Sequence, residues 1–314
     1  MRPIITITLN PALDLSTHSD TVEPGPKLRC EEPQRDPGGG GINVSRVVTE
    51  LGGTTTPFVA LGGGTGIALQ RLLRRDLPNL AVQEIEGETR QSLSVTEATS
   101  GKQYRFVMPG PMWDMPMAEA ALTVIRKVTP AGALVVFSGS LPPGVTDDFP
   151  IHLCEVLSNC DVILDMSGGA LRTFASSGTN AFVLRMDMGE GAALHGSPLE
   201  SVKETADFAS GLVRAKAAET VIIARGAEGS VLADAGGATF VNAAKVTVDS
   251  KVGAGDSFVG AYVYALADGQ PSREALRLGA AAASAAVTTP ATELCHKEAI
   301  VRLLDECQIS DIPA

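Results

Sequence analysis

After residue 117 the chain settles into a rhythm that restricts its fold more than any other feature. Continuous apolar runs at Ala133–Phe137, Val162–Asp165, Phe182–Arg185 and Val221–Ala224 alternate with helix-like stretches near 118–128, 147–158 and 199–217. Strands that are apolar on both faces must be covered on both faces, and strands separated by helices pair in parallel. The alternation predicts an α/β core, a mainly parallel sheet between two helical layers. Residues 3–9 alternate Thr with Ile and Leu and read as a further strand, as does Phe58–Leu61. Helical patterns follow at Ile42–Leu51 and 67–75. Gly229–Asp234 and Ala238–Asn242 form a hairpin pattern, and helices are predicted over 255–267, 272–288 and 297–307.

Residues 80–108 break the rhythm. Ala81–Ile85, Leu93–Ala98 and Gln103–Val107 read as short strands joined by turn residues. With the polar stretch 16–37 they predict a small β sheet outside the core, a lid formed by about 16–37 and 85–110. At 314 residues and 44% apolar content, one large domain over 1–314 with this appendage is expected. The net charge of −11 weighs against nucleic acid or an anionic membrane as partner, because both need a cationic face. Five scattered cysteines without CxxC spacing point to a reduced, cytoplasmic protein without a zinc site. No 18-residue apolar run suggests a membrane span.

The chemistry concentrates where glycines meet helix starts. Residues 253–258 read Gly-Ala-Gly-Asp-Ser-Phe, between a β-like run at Lys245–Val248 and a helix. Glycine lets the backbone approach a ligand, and the amides of Ala254, Gly255 and Asp256 at a helix N-terminus collect anions. A carboxylate there opposes phosphate binding unless it takes the proton of an attacking hydroxyl, so Asp256 is the candidate base. The bland alternative is a glycine turn with a capping Asp. The helix N-terminus is expected to lower the pKa of Asp256. Gly38–Gly41 precede a second helix start, where Asn43 offers donor and acceptor to a sugar hydroxyl; a ligand-free loop is the plain alternative. The run from Ser138 to Gly144 and that from Asn10 to Asp14 each follow a strand, where parallel sheets line their crevice. Lys27, Arg29, Arg90 and Arg105 all fall in the lid and could hold a phosphate, or simply form a solvated face. The sequences GxxxxGK[ST], GxSxG and HExxH are absent.

Together these residues resemble the ribokinase-like pfkB family of carbohydrate kinases over nearly the whole chain. The likeness is closer still to its minor bacterial 6-phosphofructokinase branch. It is carried by Lys27–Cys30, Pro37–Val44, Gln103–Gly110, Ser138–Val145 and Gly253–Asp256. The resemblance implies a ribokinase-like three-layer α/β/α core with a mainly parallel sheet and a small β-sheet lid that pairs subunits in a homodimer. It implies ATP-dependent phosphorylation of a sugar phosphate, fructose 6-phosphate at O1 first, with fructose-1-phosphate or tagatose-6-phosphate kinase as alternatives. Asp256 would be the base and Gly253, Ala254 and Gly255 the anion hole. Asp14, Gly39, Gly40, Asn43 and Ser140 would hold the sugar, and Lys27, Arg29, Arg90 and Arg105 its phosphate. Arg185, Asp187, Arg225, Gly226, Gly229 and Ser284 would line the nucleotide site.

Glu190 would organise magnesium through water, and Ser250 and Val252 belong to a loop that binds potassium in relatives. Three features depart from the family pattern. Asp187 stands where the family has Asn, Arg185 where close relatives have Lys, and Ala291 and Glu293 where they have Gly and Arg. These departures motivate a reading of another class, a sugar-phosphate-binding protein that has lost turnover.

Overall fold

The computed structural model describes residues 1–290 and 293–313. The chain runs β1 (Ile4–Thr8), β2 (Ala12–Ser19), β3 (Gln34–Gly38), α1 (Gly40–Glu50), β4 (Thr56–Leu61), α2 (Gly63–Asp76), β5 (Ala81–Glu84), β6 (Arg90–Glu97), β7 (Gln103–Val107) and α3 (Met115–Val128). It continues through β8 (Leu134–Ser138), α4 (Phe149–Val156), β9 (Asp161–Asp165), α5 (Gly168–Ala175), β10 (Ala181–Asp187), α6 (Met188–His195), α7 (Val202–Arg214) and β11 (Ala218–Ala224). The last elements are β12 (Gly229–Asp234), β13 (Gly237–Asn242), α8 (Ala254–Ala267), α9 (Ser272–Ala286), α10 (Lys297–Leu303) and β14 (Ile309–Ile312).

Ten strands form one sheet in the order β14-β13-β12-β11-β10-β9-β8-β1-β4-β5, parallel from β11 to β5 and antiparallel beyond β11. The apolar runs sort as a two-faced strand must. Leu134 and Val136 of β8, with Ile163 and Val183, pack against α1, α8 and α9. Val135 and Phe137, with Leu164 and Leu184, pack against α3, α4, α5 and α7. This alternation produces the three layers, because successive side chains leave a strand on opposite sides. A second sheet, β3-β2-β6-β7, stands beside the core as the lid.

Several expectations are corrected. Ala81–Glu84 joins the main sheet, parallel to β4, and does not belong to the lid. The lid starts at Ala12, before residue 16. Lys245–Val248 is not a strand: the outer edge of β13, the strand just before it, is taken by β14. Instead the Ala244 amide donates to Ser284 Oγ at 3.1 Å. The last helix ends at Leu303. Helices α5 and α6 were not legible in the sequence. Both are eight residues long and glycine-containing, and α6 has little periodic signal.

Candidate active site

The C-terminal ends of β1, β8, β9 and β10 converge with the N-termini of α1 and α8. In an open parallel sheet this is where ligands bind. Gly253 caps α8 in a left-handed conformation (φ +76°), which favours glycine; a Cβ there would also lie 2.7 Å from Leu294. Ala254, Gly255 and Asp256 are then the first three helical residues, and their amides have no acceptor within the helix. A Cβ on Gly255 would stand 3.1 Å from Arg185 Nη1, so the guanidinium lies against the turn.

Close packing of α1 on α8 positions the candidate base. Gly260 allows it, since a Cβ there would meet Val47 Cβ at 2.7 Å. Across this contact Asn43 Nδ2 donates to Asp256 Oδ2 at 2.8 Å. Asn43 therefore holds the carboxylate with one amide hydrogen, and its other hydrogen and its Oδ1 are not used in this contact. The expected lowering of the Asp256 pKa is overturned: burial, then the charge of Asp165, push it up to about 6, against the Asn43 hydrogen bond and Arg185. Helix amides give partial charges, whereas Asp165 carries a full one into the same cleft.

Asp165 was read only as a strand end, yet it is the hub of the site. In the sheet register Ser138, Asp165 and Arg185 are neighbours on β8, β9 and β10. Ser138 Oγ donates to Asp165 Oδ2 at 2.9 Å, and Arg185 Nη1 to Asp165 Oδ1 at 2.9 Å. Both members of the ion pair are largely buried, with side chains 12% and 11% exposed. A carboxylate closing an apolar strand at its C-terminal end was the available signal. Asn10 was also missed as a site residue. Its Nδ2 donates to Ser140 Oγ at 3.1 Å, its carbonyl accepts from Arg90 Nε at 3.1 Å, and its Oδ1 is buried without a partner among the described residues.

The glycines at 38–41 are there for close approach. A Cβ on Gly38 would lie 2.2 Å from Asp14 Oδ2, and one on Gly40 2.1 Å from Ser138 Oγ. Gly39 caps α1 with φ +133°. The lid brings Asp14, Arg90 and Arg105 together. Burial raises the Asp14 pKa, while a hydrogen bond with Ser92 and the two arginines oppose it and Asp36 adds to it. Lys27 and Arg29 are not among the charges acting on Asp14; they sit exposed on the segment between β2 and β3.

At the nucleotide side the outcome is mixed. Asp187 caps α6 in a reciprocal box, Glu190 N donating to Asp187 Oδ1 at 2.8 Å and Asp187 N to Glu190 Oε2 at 2.7 Å. The box needs only an acceptor from residue 187, so Asp serves it as well as Asn. Burial, more than the neighbouring charges of Asp187 and Asp165, raises the pKa of Glu190. The Arg225 side chain is turned into the protein. It is buried, and its guanidinium is held by the carbonyls of Leu199, Glu200 and Ser201 and the Glu228 carboxylate. Ser284 is likewise spent, donating to Ala280 O and accepting from Ala244 N. Gly229 serves the β12–β13 pairing, where a Cβ would lie 1.9 Å from Val241 O. Gly226 stands in the turn after β11 with φ +60°.

Asp249 and Ser250, at the start of the loop expected to bind potassium, which includes Val252, donate their amides to Val287 O at 2.8 and 3.3 Å. Glu293 turns to His296 at 2.7 Å, and Ala291 lies outside the described residues. Among the described residues no three His, Cys, Asp or Glu side chains gather as a metal-binding group, and no helix is long and apolar enough to cross a membrane.

Comparison with known proteins identifies the family. The model of the pfkB family carbohydrate kinases matches residues 5–299. The ATP-dependent 6-phosphofructokinase isozyme 2 of Mycobacterium tuberculosis is 38% identical over 304 residues, 96% of this chain and 89% of that protein. The Escherichia coli isozyme 2 is 36% identical, with 95% and 96% covered. The crystal structure of E. coli phosphofructokinase-2 in complex with fructose-6-phosphate superposes with a TM-score of 0.90 at 35% identity, covering 98% of this chain and 99% of that one. A family model matched over almost the full length, on a fold whose helix N-terminus and carboxylate suit phosphoryl transfer, means that the chain belongs to the pfkB family of carbohydrate kinases.

Proposed function

We propose that the protein transfers the γ-phosphoryl group of ATP to the O1 hydroxyl of fructose 6-phosphate. The observation that carries this reading is Asp256, fixed by Asn43 in the first turn of α8, beside helix amides that have no acceptor within the helix. The hydroxyl oxygen attacks the γ-phosphorus, its proton passes to Asp256, and the bond to the β-phosphate oxygen breaks to release ADP. The transition state is loose, so alignment and charge neutralisation do most of the catalytic work. The amides of Ala254 and Gly255, with Arg185, face the transferred group, and Asp14, Gly39, Gly40 and Ser140 line the sugar subsite.

Magnesium fits the site as a companion of ATP. The carboxylates of Asp165, Asp187 and Glu190 are hard oxygen donors with mutual repulsion that a divalent cation relieves, but they do not close into a metal cage of their own. Glu190 and Asp187 would hold the ion, the former through water, and the ion would neutralise phosphate charge. Main-chain oxygens near Ser250 and Val252 are the proposed seat of a potassium ion. The capping box at Asp187 keeps Glu190 in place despite the change from Asn, which favours an active kinase over a binding protein without turnover.

A panel of fructose 6-phosphate, fructose 1-phosphate and tagatose 6-phosphate, read by ADP formation in potassium and in sodium salts, tests the substrate and the ion. Sugar-phosphate binding without ADP formation would overturn the kinase reading, and equal rates in both salts would remove the potassium site. Arg90→Ala and Arg105→Ala are each expected to raise KM for fructose 6-phosphate by about tenfold to a hundredfold, the worth of a charge-assisted contact to phosphate. Steady-state titration checks this, and an unchanged KM refutes the phosphate clamp.

The lid is also the proposed dimer contact. Edge strand β7 leaves Phe106, Val107 and the following Met108 exposed, an apolar strip on an unpaired edge that suits a second copy. Sedimentation is expected to give a dimer that Phe106→Asp weakens, and a monomeric wild type would refute it. Crystals of the E. coli phosphofructokinase-2 contain a tetrameric inhibited form of that protein.

A further inference from the structure

The glycines at 62–64, between β4 and α2, have the form of an anion-binding turn, but the chain fills that turn itself. Glu88 lies on the connection from β5 to the first lid strand after it, β6. Its carboxylate accepts from the amides of Gly64 at 3.2 Å and Thr65 at 2.5 Å. The next residue, Thr89, accepts from the Gly62 amide through its hydroxyl at 2.9 Å and donates its own amide to Gly62 O at 2.9 Å. Gln91 Nε2 then donates to Thr65 Oγ1 at 3.1 Å. A Cβ would lie 1.8 Å from Glu88 Oε2 at Gly63, 2.4 Å from Gly87 O at Gly62, and 2.9 Å from Thr89 Oγ1 at Gly66. The glycines are thus room for the hinge. The Thr65 and Gly64 amides hold the Glu88 carboxyl below its ordinary range, so it is anionic at neutral pH. Arg90 sits inside this clasp, between Thr89 and Gln91, and reaches Asn10 O.

We propose that Glu88 is a positioning residue: by anchoring the lid hinge to the N-terminus of α2, it holds Arg90 over the sugar-phosphate subsite. This rests on the reading of Arg90 as a phosphate ligand. Glu88 itself is exposed and touches none of the reacting groups, so its effect must pass through the placement of β6. Misplacing a binding group by about 1 Å is enough to weaken a phosphate contact severely.

The experiment is a full titration of both substrates with Glu88→Ala and Glu88→Gln. In Glu88→Ala, KM for fructose 6-phosphate is expected to rise about tenfold, with kcat and KM for ATP within about twofold of wild type. Glu88→Gln keeps one acceptor oxygen and should recover part of the loss. Thr89→Val removes the hydroxyl half of the neighbouring clasp and should shift the same KM in the same direction. A merely structural role would lower thermal stability with KM unchanged. That result, or an equal loss in kcat and in both KM values, overturns the proposal. A wild type that neither binds nor phosphorylates fructose 6-phosphate overturns the substrate reading and this proposal with it. A normal wild type beside an unshifted Glu88→Ala overturns the hinge role alone.

Discussion

Asp256→Asn should lower kcat by about 10²–10⁴ and leave the affinity for the sugar phosphate nearly unchanged. Asn is isosteric, and its amide oxygen can still accept from Asn43 Nδ2, so the geometry of the α1–α8 contact survives. What is lost is the ability to take the hydroxyl proton. The carboxyl, raised to about 6 by burial and by Asp165, is protonated below that pH and ionised above it. The wild-type kcat/KM should therefore fall as pH drops through about 6, and a pH–rate profile of the free enzyme reads this limb. Near-normal turnover in Asp256→Asn would sink the assignment of the base.

Asp165→Ala should destabilise the fold by roughly 3–5 kcal/mol, because it strands the buried Arg185 guanidinium without its partner. Arg185 Nε already lacks a partner among the described residues, so Asp165 carries much of its compensation. Asp165→Asn is milder, since its side-chain oxygen can still accept from Ser138. It removes the negative charge that helps raise the Asp256 pKa, so the acid limb of kcat/KM should move to lower pH. Denaturant unfolding and the pH–rate profile check the two effects. An Ala variant as stable as wild type would refute the buried pair, and an Asn variant with an unmoved limb would remove Asp165 as a cause of the raised pKa.

Arg185 and Arg225 show how much of the site could be read without coordinates. Both were expected beside the nucleotide from the family resemblance. Arg185 does lie against the Gly253–Gly255 turn. Arg225 is folded back onto the segment entering α7 and neutralises its free carbonyls. Glu228, three residues on, is the one partner the local pattern offers for Arg225; the others are the carbonyls of 199–201 and the Thr205 hydroxyl, which only the packing of α7 brings near. Asp165 escaped for a related reason. Its importance comes from Ser138 and Arg185 on either side, in a row across three strands whose register the sequence does not state.

The sequence by itself determined the layers, the crevice end of the sheet and the place of Asp256 in the first turn of a glycine-capped helix. Each depends on local periodicity, or on glycines beside a helix start, and both are written into neighbouring positions. Only the tertiary structure decided the protonation of Asp256, the partner of Asn43, the membership of β5 in the main sheet and the filling of the Gly62–Gly64 turn by Glu88. These depend on groups far apart in the chain, whose charges and hydrogen bonds exist only once the elements pack. The strength of those interactions is set by burial, which no stretch of residues carries alone.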